Sequence, residues 1–179
     1  MKKFMLTAMA GMAIAGASGA FASDGTITIT GQVVDASCDI SVNGNTGDAT
    51  VVLPSVSKTT LANAGDVTGS TPVSLSLSGC PAAGSVRAYF EAQNVDQATG
   101  NLKNNASDTP ATNVQVQVTD TSGADIDLRD NSNNTFVDFT DDGDGNGTAN
   151  LNYAVQYVAT GAATAGKVDT ALVYSLDYQ

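Results

Sequence analysis

An all-β domain, built as an antiparallel sandwich, is the fold class that the sequence predicts, and three observations support it. Apolar residues recur mostly at every second position, which is the period of a half-buried strand. Helical periodicity is nearly absent after the N-terminal apolar stretch. Clusters of Gly, Asn and Asp separate the alternating runs and suit tight turns. Many short strands separated by turn signals are typical of a sandwich.

Each alternating run is expected to form one strand. The nine runs are residues 26–30, 32–42, 49–53, 73–78, 86–92, 114–119, 124–128, 151–159 and 168–178. Asn43 and Gly44 predict a tight reversal after the second run. Residues 57–64 predict a single helical turn, which is too short to change the fold class. The polar residues 94–113 predict a long surface loop.

The N-terminus has the pattern of a cleaved export signal. Two lysines precede an apolar run over residues 4–17, and residues 20–22, Ala-Phe-Ala, match the small-x-small rule for signal peptidase. Residues 1–22 are therefore predicted to be a signal peptide, which leaves about 157 residues for one mature domain. The apolar run is short for a membrane span, and no second long apolar run follows it, so we expect no membrane span.

The charge balance argues against a nucleic-acid partner. The chain has 18 acidic and 7 basic residues and a formal net charge of −11. Loss of Lys2 and Lys3 with the signal peptide makes the mature chain more acidic still. Nucleic-acid binding depends on dense Lys and Arg contacts to phosphate, which this composition does not supply.

Catalytic and cofactor motifs are missing from the sequence. The chain contains no His, so the usual general base for a Ser or Cys nucleophile is absent. The basic residues after the signal peptide are scattered, and none lies in a recognisable catalytic motif. The glycines mark turns, and no Gly-Lys-Ser/Thr phosphate loop follows a strand. We therefore expect a protein that is not an enzyme and needs no cofactor.

Both cysteines, Cys38 and Cys80, lie after the signal peptide. An oxidising compartment is expected to join them in a disulfide. In the chain-entropy model, closing a loop of this length contributes about 4 kcal/mol of stability. A metal site on the pair is disfavoured, because the chain has no His and neither cysteine has a second thiol nearby.

Residues 142–147 form the one acidic cluster that suggests a ligand. The sequence Asp-Gly-Asp-Gly-Asn-Gly matches the first six positions of a calcium loop, with Asp142, Asp144 and Asn146 as oxygen ligands. Tyr153 occupies the twelfth position, where such a loop has a bidentate Glu, and a strand rather than a helix follows. A solvated hairpin loop is the preferred interpretation, with weak calcium binding as the alternative.

The two ends of the mature chain carry a family resemblance. Residues 25–34 and the last eight residues both alternate as strands, although most chain termini are polar and frayed. These segments, together with Cys38, Cys80, residues 157–166 and the penultimate Tyr178, resemble the major subunits of bacterial chaperone–usher fimbriae, of the type 1 pilin kind. The resemblance covers essentially the whole mature chain.

The resemblance implies an incomplete immunoglobulin-like sandwich that lacks its final strand. Residues 23–33 would then form an N-terminal donor-strand extension, and residues 34–179 the pilin domain. A periplasmic chaperone would first lend a strand to the apolar groove beside the C-terminal strand. At the outer-membrane usher, the extension of the next identical subunit would replace it. The product would be a cell-surface fimbrium, reached through the periplasm and used in adhesion and biofilm formation.

Strand period assigns residues to the two sides of this expected contact. The donor residues are Gly25, Ile27, Ile29, Gly31 and Val33. The groove residues on the C-terminal strand are Leu172, Tyr174, Leu176 and Tyr178. Three alternatives stay open at this stage: an ordinary first strand that pairs within its own chain, a minor subunit of the same system, and a monomeric secreted module that binds carbohydrate or calcium.

Overall fold

The computed structural model describes residues 38–179 together with Thr28. Three predicted features lie outside the described residues. They are the signal peptide, the first strand apart from Thr28, and the donor residues Gly25, Ile27, Ile29, Gly31 and Val33. The part of the second run that precedes Cys38 also lies outside them. The architecture below is that of residues 38–179.

Nine strands form two antiparallel sheets in this part of the chain. The strands are β1 Asp39–Val42, β2 Asn45–Thr46, β3 Val67–Cys80, β4 Ser85–Phe90, β5 Val114–Thr119, β6 Val137–Asp138, β7 Thr140–Asp141, β8 Gly147–Ala159 and β9 Tyr174–Tyr178. The larger sheet has the order β2-β1-β3-β8-β5, with β7 beside β8, and the smaller sheet has the order β6-β4-β9. The predicted all-β sandwich is confirmed. Among the described residues, no helix has the length and apolar character that a membrane crossing requires.

The core lies between the two sheets and follows from the alternation in the sequence. On β3, Leu75 and Leu77 are almost completely buried and lie opposite Leu151 and Ala149 of β8. On β4, every second residue, from Val86 to Phe90, is buried against this layer. Successive strand residues point to opposite faces, so a period of two buries one face of each sheet.

A two-residue turn joins β1 to β2, as the sequence predicts. Asn43 and Gly44 have φ values of 49° and 82°, and Val42 pairs with Asn45. Two successive residues with positive φ are the signature of the hairpin turn that matches the right-handed twist of paired strands. The Asn43 side-chain carbonyl also accepts a hydrogen bond from the Ser74 amide at 2.9 Å, which fixes the turn against β3.

Three predicted strands are wrong or too long. Residues 49–53 keep the alternating burial pattern, with Val52 exposed between half-buried neighbours, but they pair with no described strand. Residues 124–128 form isolated bridges only. The last run begins as a strand at Tyr174 rather than at residue 168. Alternation reports which side chains are buried, whereas a strand also requires a backbone partner.

The segments predicted as irregular differ from expectation in one respect. A 3₁₀ turn occupies Lys58–Leu61, which confirms the short helical turn. Residues 94–113 form a loop, but it is anchored in the core, because Val95 and Leu102 are buried. Leu102 exchanges two backbone hydrogen bonds with Val116 of β5, at 2.8 and 3.0 Å. The polar composition of the loop conceals these two anchoring side chains.

Candidate functional site

The last strand, β9, has two edges with different surroundings. One edge pairs with β4 along five residues, from Val86 opposite Tyr178 to Phe90 opposite Tyr174. Ser85 and Gln179 exchange both backbone hydrogen bonds at 2.9 Å beyond the end of this ladder. Because backbone groups alternate in direction along an antiparallel strand, those of Tyr174, Leu176 and Tyr178 point away from β4. Among residues 38–179, no strand pairs with that second edge.

The core-facing side chains of β9, and that of Leu172 just before it, are incompletely covered. Leu172, Tyr174, Leu176 and Tyr178 all pack against the main core, and all remain partly exposed. Their neighbours across the β4 ladder are buried: Phe90 is 2% exposed, and Val86 and Ala88 are 0% exposed. The core therefore has a well-covered side under β4 and a thinly covered side under β9.

Residues 48–56 form a second segment that covers the same core. Val51 and Leu53 are half-buried and pack against the same core. Burial, followed by the negative charge of Asp48, raises the pKa of Tyr174. We call the depression between residues 48–56 and residues 168–178 the β9 groove.

The groove meets a cavity of about 690 Å³ at the end remote from Tyr178. Val56 from one wall and Val168 from the other line this cavity, together with Leu61 and Tyr157 from the adjoining elements. The cavity also has a polar rim, where Lys167 forms an ion pair with Asp108. An apolar floor with a polar rim suits an extended segment whose side chains point inward while its flanks stay in water.

The outer face of β4 and β9 is joined by a charged pair that the sequence analysis missed. The Arg87 guanidinium lies 2.8 Å from the Asp177 carboxylate. Arg87 and Asp177 are directly opposite in the ladder, and opposite charges at such positions stabilise a strand pair. Strand period could have located each residue on the outer face, but only the register brings them together.

The predicted disulfide is present between Cys38 and Cys80, whose Cα atoms are 4.5 Å apart. Both residues are buried. The bond ties the residue before β1 to the last residue of β3. The disulfide therefore fixes the start of β1 against the end of β3.

The acidic loop uses its oxygen atoms to fold itself. The Asp142 carboxylate accepts hydrogen bonds from the backbone amides of Asp144 and Asn146, at 2.9 and 3.2 Å. These bonds lower the pKa of Asp142. Asp142, Asp144 and Asn146 are exposed at the tip between β7 and β8. In the described residues, no group of three or more acidic, Cys or His side chains is arranged to hold a metal ion. Weak calcium binding stays a prediction that this geometry does not favour.

Comparison with known families identifies the relatives of the chain. The family model described as "Type-1 fimbrial protein, A" matches residues 53–179, which include both walls of the β9 groove except residues 48–52. The chain belongs to the type-1 fimbrial protein family. The predicted family is thereby confirmed.

Individual relatives agree with the family match. The chain is 42% identical to the major fimbrial subunit SMF-1 of Stenotrophomonas maltophilia strain K279a over 88% of its own length and 94% of the relative's. It is 43% identical to the F17 fimbrial protein of Escherichia coli, over 94% of each chain. A type-1 fimbrial protein of this kind is a structural subunit of a fimbria, not a member of an enzyme family. The alternative of a monomeric binding module is not supported.

Solved structures share the fold of this type-1 fimbrial protein. A chain from the structure of a chaperone–usher pilus, solved in work on rod uncoiling, matches with a TM-score of 0.62 and 23% identity over 88% of this chain and 96% of that one. The P pilus rod subunit PapA matches with a TM-score of 0.55 and 18% identity over 79% of this chain and 99% of that one. At these identities the likeness concerns the fold alone, and it confirms the pilin-type, two-sheet architecture.

Proposed function

We propose that this fimbrial subunit polymerises by strand addition at the β9 groove. The donor is residues 23–33 of the next identical subunit, with Gly25, Ile27, Ile29, Gly31 and Val33 facing the groove. The acceptor is the second edge of β9, with Leu172, Tyr174, Leu176 and Tyr178. The observation that carries the proposal is that this edge has no described strand partner while its core-facing side chains are only half-buried.

Strand addition supplies both affinity and register. An added strand can bond to the backbone groups of Tyr174, Leu176 and Tyr178 that point away from β4, a recognition mode of which chaperone–pilin pairing is a known example. Donor and acceptor share a period of two residues, so Ile27 and Ile29 repeat at the spacing of the groove side chains. Burying one such side chain contributes about 1.5–3 kcal/mol. A shift by one residue would turn the isoleucines out into water.

Unfilled, the β9 groove is an aggregation hazard, because it combines an open strand edge with exposed apolar surface. We propose that a periplasmic chaperone covers the groove after export and that an outer-membrane usher exchanges the chaperone strand for the donor segment. The assembled homopolymer then lies at the cell surface and serves in adhesion and biofilm formation. The disulfide is consistent with passage through an oxidising compartment.

A thermal melt tests the groove and its donor directly. One chain begins at Gln32 and lacks residues 23–31 of the donor segment. A second is identical but carries residues 24–33 after Gln179 through a flexible linker. We expect the second chain to be a monomer with a much higher melting temperature, because the appended strand fills the groove. Equal melting temperatures would mean that the sandwich is already complete without a donor.

A further inference from the structure

The outer edge of β4, on the side away from β9, is closed in an unusual way. Ser85 directs its backbone groups toward Gln179, so Val86, Ala88 and Phe90 direct theirs to the opposite edge. Strand β6 pairs only with the first two residues of β4. The backbone groups of Ala88 and Phe90 therefore lie beyond the reach of β6, and side chains from residues 131–153 bond to them instead.

Asn131 takes the place of a strand residue opposite Phe90. Its side-chain carbonyl accepts a hydrogen bond from the Phe90 amide at 2.8 Å, and its side-chain NH₂ donates to the Phe90 carbonyl at 2.9 Å. One amide side chain thus satisfies both backbone groups of Phe90. Asn131 is 3% exposed, and its φ of 59° is a conformation that Asn tolerates better than most residues.

Asn134 and Tyr153 close the backbone of Ala88 in a ring of hydrogen bonds. The Ala88 amide donates to the Tyr153 hydroxyl at 3.3 Å, which donates to the Asn134 side-chain carbonyl at 3.2 Å. The Asn134 NH₂ group then donates to the Ala88 carbonyl at 2.6 Å. Asn134 is 5% exposed. We call Asn131, Asn134 and Tyr153 the edge cap.

Arg87 fastens the loop that carries the edge cap. Its guanidinium donates to the backbone carbonyl of Asn134 at 3.0 Å and stacks on the Phe136 ring, with Cζ 4.5 Å from the ring centroid. The same guanidinium pairs with Asp177 on β9. Arg87 therefore holds the edge cap against β4 from the outer face of the sheet.

The two outer strands of the larger sheet, β5 and β2, have covered or short edges. The outer edge of β5 is bonded by Leu102 to Val116 and by the Ile126 amide to the Val118 carbonyl at 2.9 Å. At the opposite end of the larger sheet, β2 has two residues. Within the smaller sheet, the second edge of β9 has neither a strand nor bonded side chains along it.

We propose that the edge cap is a specificity device that excludes added strands from β4 and confines strand addition to β9. The proposal rests on the proposed function, because it concerns where a donor strand is accepted. A further strand on β4 would satisfy Ala88 and Phe90 equally well, but it would present its own outer edge to solvent. Side-chain amides end the ladder, since they bond inward and offer no second row of backbone groups.

The test uses a chain in which the β9 groove is filled. This closed chain is the full mature sequence with Ile29→Asp, which disables its own donor segment, and an unaltered copy of residues 24–33 joined after Gln179. Asn131→Gly removes the amide from the edge cap and leaves a residue that accepts positive φ. Asn133→Gly is the matched control, because Asn133 also has a positive φ, of 66°, but is exposed and bonds to the Asp125 carbonyl instead of β4.

Sedimentation and amide hydrogen exchange give the two readouts. We expect the closed chain and its Asn133→Gly variant to stay monomeric, and Asn131→Gly to sediment at twice the mass or more as β4 edges pair. In dilute monomer, the Phe90 amide of Asn131→Gly is expected to exchange roughly tenfold faster, which corresponds to the loss of one hydrogen bond. A folded, monomeric Asn131→Gly chain at high concentration would overturn the proposal.

Two further comparisons distinguish a failure of the edge-cap proposal from a folding defect and from a failure of donor addition at the β9 groove. If Asn131→Gly does not fold, Asn134→Ala, which removes the bond to Ala88 without changing a positive-φ position, is judged by the same two outcomes. Donor addition at the groove is tested separately, by whether the appended segment raises the melting temperature of a chain whose edge-cap residues are unchanged. Failure there rejects donor addition at β9, whereas failure in sedimentation rejects only the role of the edge cap.

Discussion

The two outer edges of the smaller sheet solve the same physical problem in opposite ways. On β4, buried amide side chains bond to the backbone beyond β6, and the core side chains beneath are sealed. On β9, the backbone groups of Tyr174, Leu176 and Tyr178 point toward no described strand, and these side chains are half-buried. A sheet ends at an edge whose backbone groups are bonded by side chains, whereas an edge with unpaired backbone groups can pair with a strand of another chain. Under the proposed function, this contrast directs strand addition to the β9 side of the sheet.

The largest expected effect comes from a charge in the donor. Ile29→Asp is expected to abolish polymerisation while the subunit still folds, because an unpaired carboxylate in an apolar groove costs several kcal/mol. Thr28→Asp is the control, since strand period predicts that Thr28 faces away from the groove, and Thr28 is exposed. Polymers are measured as detergent-resistant ladders on unheated gels. Ladders of normal length from Ile29→Asp would show that residues 23–33 are not the donor.

The second effect concerns the disulfide between Cys38 and Cys80. Replacing both cysteines, by Cys38→Ser and Cys80→Ser, is expected to lower the free energy of unfolding by about 4 kcal/mol, because the unfolded chain regains the freedom of the closed loop. Urea titration of the closed chain measures it. The Phe90 backbone is bonded by Asn131 and not by either cysteine, so exchange of the Phe90 amide in the folded state is expected to stay slow. An unchanged urea midpoint would show that strand pairing alone holds β1 against β3.

A smaller effect is expected from trimming the floor of the groove. Leu176→Ala is expected to weaken binding of a synthetic peptide of residues 24–33 by roughly tenfold, since less apolar area is buried against Ile27 or Ile29. Ser175→Ala, on the outer face of the same strand, serves as the control. Calorimetric titration into the mature chain carrying Ile29→Asp gives both affinities. Equal weakening by the two variants would mean that the peptide binds through backbone hydrogen bonds alone, without packing against Leu176.

The smallest effect is a shift in tyrosine ionisation that distinguishes the two edges. Burial raises the pKa of Tyr174 at the groove and of Tyr153 in the edge cap. A raised pKa means that the folded state favours the neutral phenol. Each group therefore contributes stability below the ordinary tyrosine pKa of about 10, and this contribution is lost as pH rises through the raised value.

Filling the β9 groove separates the two tyrosines. An added strand covers Tyr174 further, so its pKa is expected to rise again, whereas that of Tyr153 is expected not to move. Ultraviolet titration of tyrosinate absorbance, with and without the appended donor, follows both, and Tyr174→Phe and Tyr153→Phe assign the signals. A shift at Tyr153 on donor addition would mean that the two edges are coupled through the core.

The sequence predicted the parts of the fold that depend on alternation alone. Leu75, Leu77 and the inward residues of β4 and β9 follow from a period of two. Residues 49–53 show the limit, because Val51 and Leu53 alternate correctly and still form no strand within the described chain. Backbone pairing depends on distant segments, and a period does not reveal them. The family resemblance directed attention to β9, which periodicity could not distinguish from any other strand.

The edge cap lay beyond prediction for a different reason. Residues 131–134 read Asn-Ser-Asn-Asn and look like any polar loop. Asn131 and Asn134 are buried while Asn133 is exposed. The path of the loop over β4 determines which of them are buried. A polar side chain gives no periodic signal of burial, because its place is set by the partner that satisfies it. Only the folded structure shows that Asn131 bonds to Phe90.

The register between β4 and β9 also has a mechanical consequence. A neighbouring strand pulled lengthwise along β9 transmits its tension parallel to the ladder, so the five β4–β9 pairs are loaded together in shear rather than one at a time as in a zipper. The Arg87–Asp177 pair crosses the same interface and must separate in the same event. Rupture under load is governed by the rate of this concerted step and not by the equilibrium stability of the sandwich.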